Sequence, residues 1–230
     1  MKLLKLAMSE LKGELLQGDM GVELGALVYD SRKISPGCLF VCMKGANFDS
    51  HELLPELPGK GVAAVVIDRE VETLPEGLTV YRADNARASL AALSAAYFGF
   101  PARELLTVGV TGTKGKTTTT HMIRALFEAG GIPTGLIGTN GITVGKEHIA
   151  TKNTTPESYE IQESFRKMAD AGCKAVVMEV SSQGLMLHRT GSILFDYGIF
   201  MNIAPDHIGP NEHKSFEEYL FWKSQLFLQC

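Results

Sequence analysis

Residues 107–120, Thr-Val-Gly-Val-Thr-Gly-Thr-Lys-Gly-Lys-Thr-Thr-Thr-Thr, contain the pattern that decides the fold. An apolar strand pattern at 105–110 leads into a glycine-rich turn, and a helix pattern follows at 116–129. A strand, a glycine-rich turn and a helix in this order are typical of a phosphate-binding loop, because backbone N–H groups and the helix N-terminus attract an anion. The sequence therefore predicts that the chain binds a nucleoside triphosphate.

Two side chains of this loop suit the phosphates and their counter-ion. We expect Lys116 to neutralise the β- and γ-phosphates and Thr117 to place its hydroxyl on Mg²⁺. The usual spacing asks for glycine at position 110, where this chain has Val110. The simpler alternative is an ordinary strand–turn–helix unit whose glycines only shape the turn.

Length and composition are those of a globular protein with one large domain or two small ones. The chain has 230 residues, 45% of them hydrophobic, and a formal net charge of −4. A negative net charge gives no reason to expect nucleic-acid or membrane affinity. Apolar runs stay below the length of a membrane span. We therefore expect a cytoplasmic monomer with no nucleic-acid or membrane partner.

The four cysteines and the N-terminus agree with that location. Cys38, Cys42, Cys173 and Cys230 lack C-x-x-C spacing, which argues against a disulfide framework or a zinc site. We predict that the first three are buried apolar side chains. Residues 1–12 are interrupted by charges, so we interpret them as a short amphipathic helix and not as a signal peptide.

Two α/β regions follow one another along the sequence. In the first, residues 1–98, we predict that Asn85 caps the helix. Residues 99–103 break the pattern and are the candidate hinge. Beyond them strands and helices alternate, which predicts a parallel sheet covered by helices. The predicted strands are 26–29, 37–43, 63–67, 78–81, 105–110, 134–138, 174–180 and 193–201, and the predicted helices are 85–98, 116–129, 156–171 and 215–228.

The last predicted helix, 215–228, has none of the residues that usually end a helix. Together with the small number of strands, this suggests an incomplete sheet, so we expect a truncated central domain. The alternative is a helix that docks as a true C-terminus.

Several further segments carry residues with chemical potential. Glu179 ends an apolar strand, where an acid is either a Mg²⁺ ligand or a solvated charge. We interpret Thr155 as the N-cap of a helix whose first residue is Pro156, although its hydroxyl would also suit an anionic substrate. Taken alone, Asp206 and His207 are more often loop-capping residues than ligands.

Two residues near the end of the chain have a simpler interpretation. We predict that His213 is a solvated loop histidine. By its periodicity, Lys223 is a lysine of an amphipathic helix.

Taken together, these segments resemble the Mur ligase family. The resemblance rests on the phosphate loop, 111–119, and on segments at 30–45, 153–156, 179–185, 188–189 and 202–207, followed by Lys223. The set is specific as a whole, and it explains the unusual spacing of the phosphate loop. Departures are Lys114 in place of a common Asn, Ser50 in place of Gly and Gln183 in place of a frequent His.

The resemblance implies an α/β fold with two domains. Residues 1–100 would be a small N-terminal UDP-sugar-binding domain. Residues 101–230 would be a P-loop, parallel-sheet central domain for ATP, incomplete at its C-terminus, with the amino-acid-binding C-terminal domain absent.

The implied activity is ATP-dependent amide-bond formation in peptidoglycan synthesis. An amino acid of the lysine or diaminopimelate type would be added to UDP-MurNAc-L-Ala-D-Glu through an acyl phosphate, and the wording of 205–213 is closer to lysine-adding members. Lacking its amino-acid site, the 230-residue chain alone would be inactive. Two alternatives stay open, namely a non-catalytic ATP- or UDP-sugar-binding module and a related folylpolyglutamate- or cyanophycin-type ligase.

The resemblance also assigns residues to these roles. Lys116, Glu179, His207 and Lys223 would be catalytic. Mg²⁺ would be held by Thr117 and Glu179, and a second metal by His207 and Lys223, the latter as a carbamate. ATP would be bound by Gly112, Thr113, Lys114, Gly115, Lys116, Thr117 and Thr118, and the UDP-sugar-peptide by Ser31, Asn47, Asn153, Thr154, Thr155, Ser181 and Arg189.

Overall fold

The computed structural model describes residues 11–45, 48–206, 208–210 and 212–230, and the chain divides into two compact units between Tyr97 and Phe98. The expected helix at 1–12 lies almost wholly outside the described residues. In the part of the chain that is described, no helix is both long and apolar enough to cross a bilayer.

The N-terminal unit is a five-stranded sheet with the strand order β1-β5-β4-β3-β2. Strands β2 to β5 are parallel, and β1 pairs antiparallel with β5. The strands are β1 (Gly13–Gln17), β2 (Leu27–Val28), β3 (Leu39–Val41), β4 (Ala64–Ile67) and β5 (Thr79–Ala83), and helix α1 (Ala86–Tyr97) follows them.

Burial of apolar runs organises this unit. All four residues of β4 are buried, as expected for a parallel strand covered on both faces. Cys38 and Cys42 are buried around Phe40, which confirms their prediction as apolar core residues. Asn85 Oδ1 accepts a hydrogen bond from the Ala88 N–H over 2.9 Å, which confirms the predicted cap of α1.

The C-terminal unit is a six-stranded sheet with the order β11-β6-β10-β7-β8-β9. The first four strands in this order are parallel, and β8 and β9 add an antiparallel hairpin. The strands are β6 (Leu106–Thr111), β7 (Thr134–Gly138), β8 (Gly141–Val144), β9 (Glu147–Ile149), β10 (Ala175–Glu179) and β11 (Tyr197–Phe200), and the helices are α2 (Lys116–Ala129), α3 (Ser158–Asp170), α4 (Ser182–Met186) and α5 (Phe216–Ser224).

The central strand β10 is buried on both faces of this sheet. Val176 and Met178 belong to the core cluster that contains Phe165 of α3. Val177 points to the other face and packs with Val110. This alternation explains why an unbroken apolar run forms a strand here, and it confirms the predicted α/β fold with helices beside a largely parallel sheet.

Several predicted element bounds are wrong. Strand β11 begins at Tyr197 and not at residue 193, because the Asp196 carboxylate accepts hydrogen bonds from the Thr107 N–H (2.7 Å) and hydroxyl (3.0 Å) in place of a backbone ladder. The final helix ends at Ser224 and continues as a 3₁₀ helix over Gln225–Gln229. The pattern also missed β1, β8, β9 and α4, which are short and partly polar.

Candidate active site at the phosphate loop

The predicted phosphate loop forms at the carboxyl end of β6. Strand β6 ends at Thr111, and α2 begins at Lys116. Gly112 and Gly115 have φ angles of 153° and 85°, which side chains rarely adopt, so glycine is required at both turns. The N-terminus of α2 consequently points its first N–H groups out of the loop, where they would attract an anion.

The side chain of Lys116 folds back over this loop. Its Nζ donates hydrogen bonds to the carbonyl oxygens of Gly112 (2.9 Å) and Thr113 (3.3 Å). Burial lowers the pKa of Lys116, while the negative charges of Glu179 and Asp206 oppose that shift. A partly desolvated cation at this place is suited to bind phosphate oxygens.

Glu179 lies beside the loop at the end of the neighbouring strand β10. The side chain is buried, and its Oε2 accepts a hydrogen bond from the Thr117 hydroxyl over 3.0 Å. Thr139, just beyond β7, donates its N–H to Oε1 (2.9 Å) and its hydroxyl to Oε2 (3.2 Å). Glu179 is therefore a fixed acid and not a solvated charge past the strand end.

A glycine leaves the space that this carboxylate occupies. A Cβ atom on Gly138 would lie only 2.3 Å from Glu179 Oε1. Sequence reasoning identified Glu179 but not Gly138 or Thr139. The one signal for Thr139 is that it follows a predicted strand at the same edge of the sheet.

A pocket of about 230 Å³ opens next to the loop. It brings together residues that are far apart in sequence, and four of them are cationic. The lining residues are Lys116, Lys152, Asn153, Thr154, Thr155, Ser181, Ser182, Gln183, Arg189 and Lys223. Five predicted substrate residues and two predicted catalytic lysines thus share one pocket, and Lys152 is a cation that the sequence did not single out.

The interpretation of Thr155 as a helix N-cap is wrong. Helix α3 begins at Ser158, with Glu157 as its N-cap residue, and Pro156 lies before the helix. Thr155 is fully buried, and its hydroxyl donates to the Glu179 carbonyl (2.9 Å) while accepting from the Ser181 N–H (3.0 Å). The threonine therefore fastens the segment 153–156 to the end of β10.

Arg189 is held on the wall of the pocket by two partners. Its Nε and Nη2 contact Glu157 Oε1 at 2.9 and 2.8 Å, and its Nη1 donates to the Thr155 carbonyl over 3.1 Å. The Arg189 side chain is 12% exposed. A guanidinium fixed in this way presents a preset charge to a phosphate or carboxylate.

Lys223 is not an ordinary lysine of an amphipathic helix, so that interpretation is also wrong. It is 1% exposed and donates from Nζ to the Gly112 carbonyl over 2.8 Å. Burial, reinforced by the neighbouring Lys116, lowers the pKa of Lys223 to about 7. Near pH 7, Lys223 is thus a neutral amine in a substantial fraction of the protein molecules.

The interpretation of His213 as a solvated loop residue is wrong as well. The ring is fully buried, its Nε2 lies 2.8 Å from Ser182 Oγ, and it packs against the ring of Tyr219 at 5.3 Å. The Tyr219 hydroxyl reaches Thr113 Oγ1 over 3.2 Å. Packing of α5 against the loop, which periodicity does not reveal, buries both rings.

Three predicted site residues lie elsewhere or outside the described residues. Ser31 begins a 3₁₀ turn in the N-terminal unit, Ser31–Lys33, where the Asp30 carboxylate accepts from the Arg32 N–H. Asn47 and His207 lie outside the described residues. Within the described ranges, no three His, Cys, Asp or Glu side chains converge as a metal site.

Family models match both units of the chain. The model described as "Mur ligase middle domain" matches residues 110–230, which is more than half of the sequence. The model described as "Mur ligase family, catalytic domain" matches residues 23–98.

Curated relatives match over nearly the whole chain. The UDP-N-acetylmuramoyl-L-alanyl-D-glutamate–2,6-diaminopimelate ligase of Bacillus velezensis is 40% identical over 230 residues, covering 100% of this chain and 46% of the relative. The ligase of the same name from Clostridium perfringens is 39% identical over 225 residues, covering 98% of this chain and 46% of the relative. The chain thus spans about half the length of the curated relatives it matches.

Solved structures share the fold. A structure titled as a UDP-N-acetylmuramoyl-L-alanyl-D-glutamate–2,6-diaminopimelate ligase superposes with a TM-score of 0.77 at 21% identity, covering 92% of this chain and 42% of that one. MurF of Thermotoga maritima in complex with ADP superposes with a TM-score of 0.56 at 20% identity, covering 93% and 44%. With family models matching both units and relatives aligned along its whole length, the chain belongs to the Mur ligase family.

Proposed function

We propose that the protein is an ATP-dependent ligase that joins an amino acid to UDP-MurNAc-L-Ala-D-Glu in peptidoglycan synthesis. The observation that carries the proposal is the single pocket that holds Lys116, Lys223, Arg189 and the segment around Thr155. The names of the relatives favour diaminopimelate as the amino acid over lysine. We place the reaction in the cytoplasm, where ATP and nucleotide sugars are made, and we propose a monomer.

ATP would bind across the phosphate loop, residues 112–118. The supporting features are the N-terminus of α2, the two glycine turns and the buried ammonium of Lys116. These groups supply positive potential where the β- and γ-phosphates would lie. In phosphoryl transfer the protein contributes mainly positioning and charge neutralisation, and the loop is built for both.

Mg²⁺ fits beside this loop. The Thr117 hydroxyl and the Glu179 carboxylate offer hard oxygen donors 3.0 Å apart, and the missing Cβ of Gly138 leaves room for the carboxylate in this position. When bound, the ion would neutralise charge on the phosphates. A second metal would use His207 and Lys223, the latter as a carbamate. The supporting feature is the lowered pKa of Lys223, because only a neutral amine reacts with CO₂.

The acceptor substrate would occupy the pocket next to the loop. Asn153, Thr154 and Ser181 line it and offer polar groups, while Arg189 offers a fixed positive charge to a carboxylate or phosphate. We assign the UDP moiety to the N-terminal unit, residues 1–100, with Ser31 and Asn47 as ligands. We assign ATP to residues 101–230.

The chemistry has two steps. A carboxylate oxygen of the peptide attacks the γ-phosphorus, the bond to the β-phosphate oxygen breaks, and an acyl phosphate and ADP result. The amino group of the incoming amino acid then attacks the acyl carbon, phosphate leaves, and the amine loses its proton as the amide forms. Lys116 would hold the phosphoryl oxygens during the transfer, and Arg189 would hold the peptide.

The test uses the full-length protein with UDP-MurNAc-L-Ala-D-Glu, ATP, Mg²⁺ and either meso-diaminopimelate or L-lysine. We expect ADP release that depends on both acceptor and amino acid, with a product whose mass has increased by one amino-acid residue. Binding of ATP and UDP-sugar without turnover would instead indicate a non-catalytic module. Turnover only with a folate or a polyglutamate-like acceptor would indicate the other ligase type.

A further inference from the structure

Asn202, two residues beyond β11, is bonded to the phosphate loop through its side-chain amide. Its Oδ1 accepts hydrogen bonds from the backbone N–H groups of Thr113 and Lys114, both over 3.1 Å. Its Nδ2 donates to the Lys114 carbonyl over 3.0 Å. The Asn202 carbonyl also accepts from the Thr113 N–H over 3.1 Å.

These contacts extend the sheet into the loop. Strand β11 pairs in parallel with β6 up to Phe200 and Thr111, and the Met201 N–H then donates to the Thr111 carbonyl over 3.0 Å. Beyond this point the loop curves away from strand geometry. The backbone makes one further bond, from the Thr113 N–H to the Asn202 carbonyl, and the Asn202 side chain adds its bonds to Thr113 and Lys114 beside it.

The side chain of asparagine is chemically suited to bond to this loop. Its amide carries an acceptor and a donor at a fixed separation, which matches two N–H groups and one carbonyl of the loop. Aspartate would turn a carboxylate oxygen towards the Lys114 carbonyl. Alanine would leave the Lys114 N–H and carbonyl without these partners, while the Thr113 N–H would keep the backbone carbonyl of residue 202.

The neighbouring threonine is held inward as well. Thr113 Oγ1 accepts from the Ala204 N–H (3.0 Å) and from the Tyr219 hydroxyl (3.2 Å), and it donates to the Ala204 carbonyl (3.3 Å). The side chain is only 6% exposed. The first half of the loop is thus fastened to the segment that follows β11.

We infer that Asn202 is a positioning residue that holds the phosphate loop in its binding conformation and confines phosphate recognition to the N–H groups of residues 115–118. The N–H groups of Thr113 and Lys114 donate to Asn202, so they are already occupied and would not bind an anion. The first hydrogen bond of α2 runs from the Thr119 N–H to the Gly115 carbonyl. The N–H groups of residues 115–118 precede it, so the helix does not use them and they can bind a ligand. The nucleotide part of this inference rests on the proposed function.

Hydrogen–deuterium exchange on the full-length protein tests the geometry without any ligand. We expect the amide of Lys114, whose acceptor is the Asn202 side chain, to exchange at least about 100-fold more slowly in the wild type than in Asn202→Ala. In the wild type, Mg·ATP should add protection at 115–118 and none at 113–114. Fast exchange at 113–114 in the nucleotide-free wild type, with protection appearing only on addition of ATP, would overturn the inference even if the variant does not fold.

Binding of Mg·ATP, measured by titration calorimetry, tests the consequence. We expect Asn202→Ala to raise the Kd about tenfold, or ~1.4 kcal/mol. Asn140→Ala is the matched control because Asn140 is exposed and its side-chain amide lies 3.5 Å from His121, away from Asn202, and its Kd should be unchanged. Equal affinities for wild type and Asn202→Ala would contradict the inference while leaving the proposed function standing. No binding by the wild type would remove the proposed function, and the exchange experiment would still decide the role of Asn202.

Discussion

Lys116 and Lys223 donate hydrogen bonds to the same carbonyl oxygen, that of Gly112, over 2.9 and 2.8 Å. Two ammonium groups on one acceptor repel each other, and Lys223 is also buried against the ring of Tyr219, with Nζ 4.7 Å from the ring centroid. Among the described residues, the negative charge of Asp206 opposes the loss of the proton from Lys223. The pair concentrates positive charge at the loop and makes one of its members easy to deprotonate.

The pH dependence of stability should show this deprotonation. The pKa of Lys223 falls from 10.5 to about 7 in the folded protein, so between these values the unfolded chain holds the extra proton and the free energy of unfolding rises with pH. We expect a contribution on the order of 3 kcal/mol across this window, which Lys223→Met should remove. Urea unfolding between pH 7 and 10 in CO₂-depleted buffer measures it. Identical pH slopes for both proteins would refute the assignment.

Removing the loop lysine should abolish nucleotide binding. Lys116→Ala deletes the cation that lies over the loop, and we expect the Kd for Mg·ATP to rise at least ~100-fold in the full-length protein. Lys167→Ala serves as the control, because that lysine forms an exposed ion pair with Glu163 at 3.4 Å. Near-normal ATP binding by Lys116→Ala would rule out the phosphate-loop assignment.

Adding one methyl group beside Glu179 should disturb the Mg²⁺ site. In Gly138→Ala the new Cβ would lie 2.3 Å from Glu179 Oε1, so the carboxylate must move away from Thr117 and Thr139. We expect the Mg²⁺ concentration that gives half-maximal ATP binding to rise about tenfold.

Gly59→Ala is the control for this substitution. A Cβ there has no atom within 4 Å, so the Mg²⁺ requirement should not change. If Gly138→Ala keeps the wild-type Mg²⁺ requirement, Glu179 is not part of the metal site.

Replacing the buried Thr155 should lower the stability of the protein. Thr155→Val keeps the shape of the side chain but removes its hydrogen bonds to the Glu179 carbonyl and the Ser181 N–H. Both backbone groups then lose this partner while they remain buried. We expect the free energy of unfolding to fall by ~2 kcal/mol. Thr73→Val, at an exposed site, should change it by less than ~0.5 kcal/mol. Urea midpoints give both values, and equal midpoints would show that the two bonds contribute nothing.

The local sequence pattern was sufficient to predict the longer helices and strands. Helix α2 and strand β7 have the predicted bounds, and β6 and β10 differ from prediction by one residue at either end, because their periodicity and turn residues agree with their burial. The hairpin of β8 and β9 escaped prediction since its three-residue second strand is partly polar and exists only through pairing. The start of β11 at Tyr197 depends likewise on a tertiary contact, the bond from the Thr107 N–H to the Asp196 carboxylate.

The sequence by itself determined the phosphate loop and the family, because the glycine spacing, Lys116 and Thr117 are local requirements of one turn. The tertiary structure alone decided the states of Lys223, His213, Thr155 and Asn202, since each depends on residues from another element. Lys223 meets a carbonyl 111 residues away, and Asn202 meets N–H groups 88 and 89 residues away. Burial and pairing of polar groups at such separations arise only when distant strands, helices and loops pack together in the folded chain, and no local pattern in the sequence encodes them.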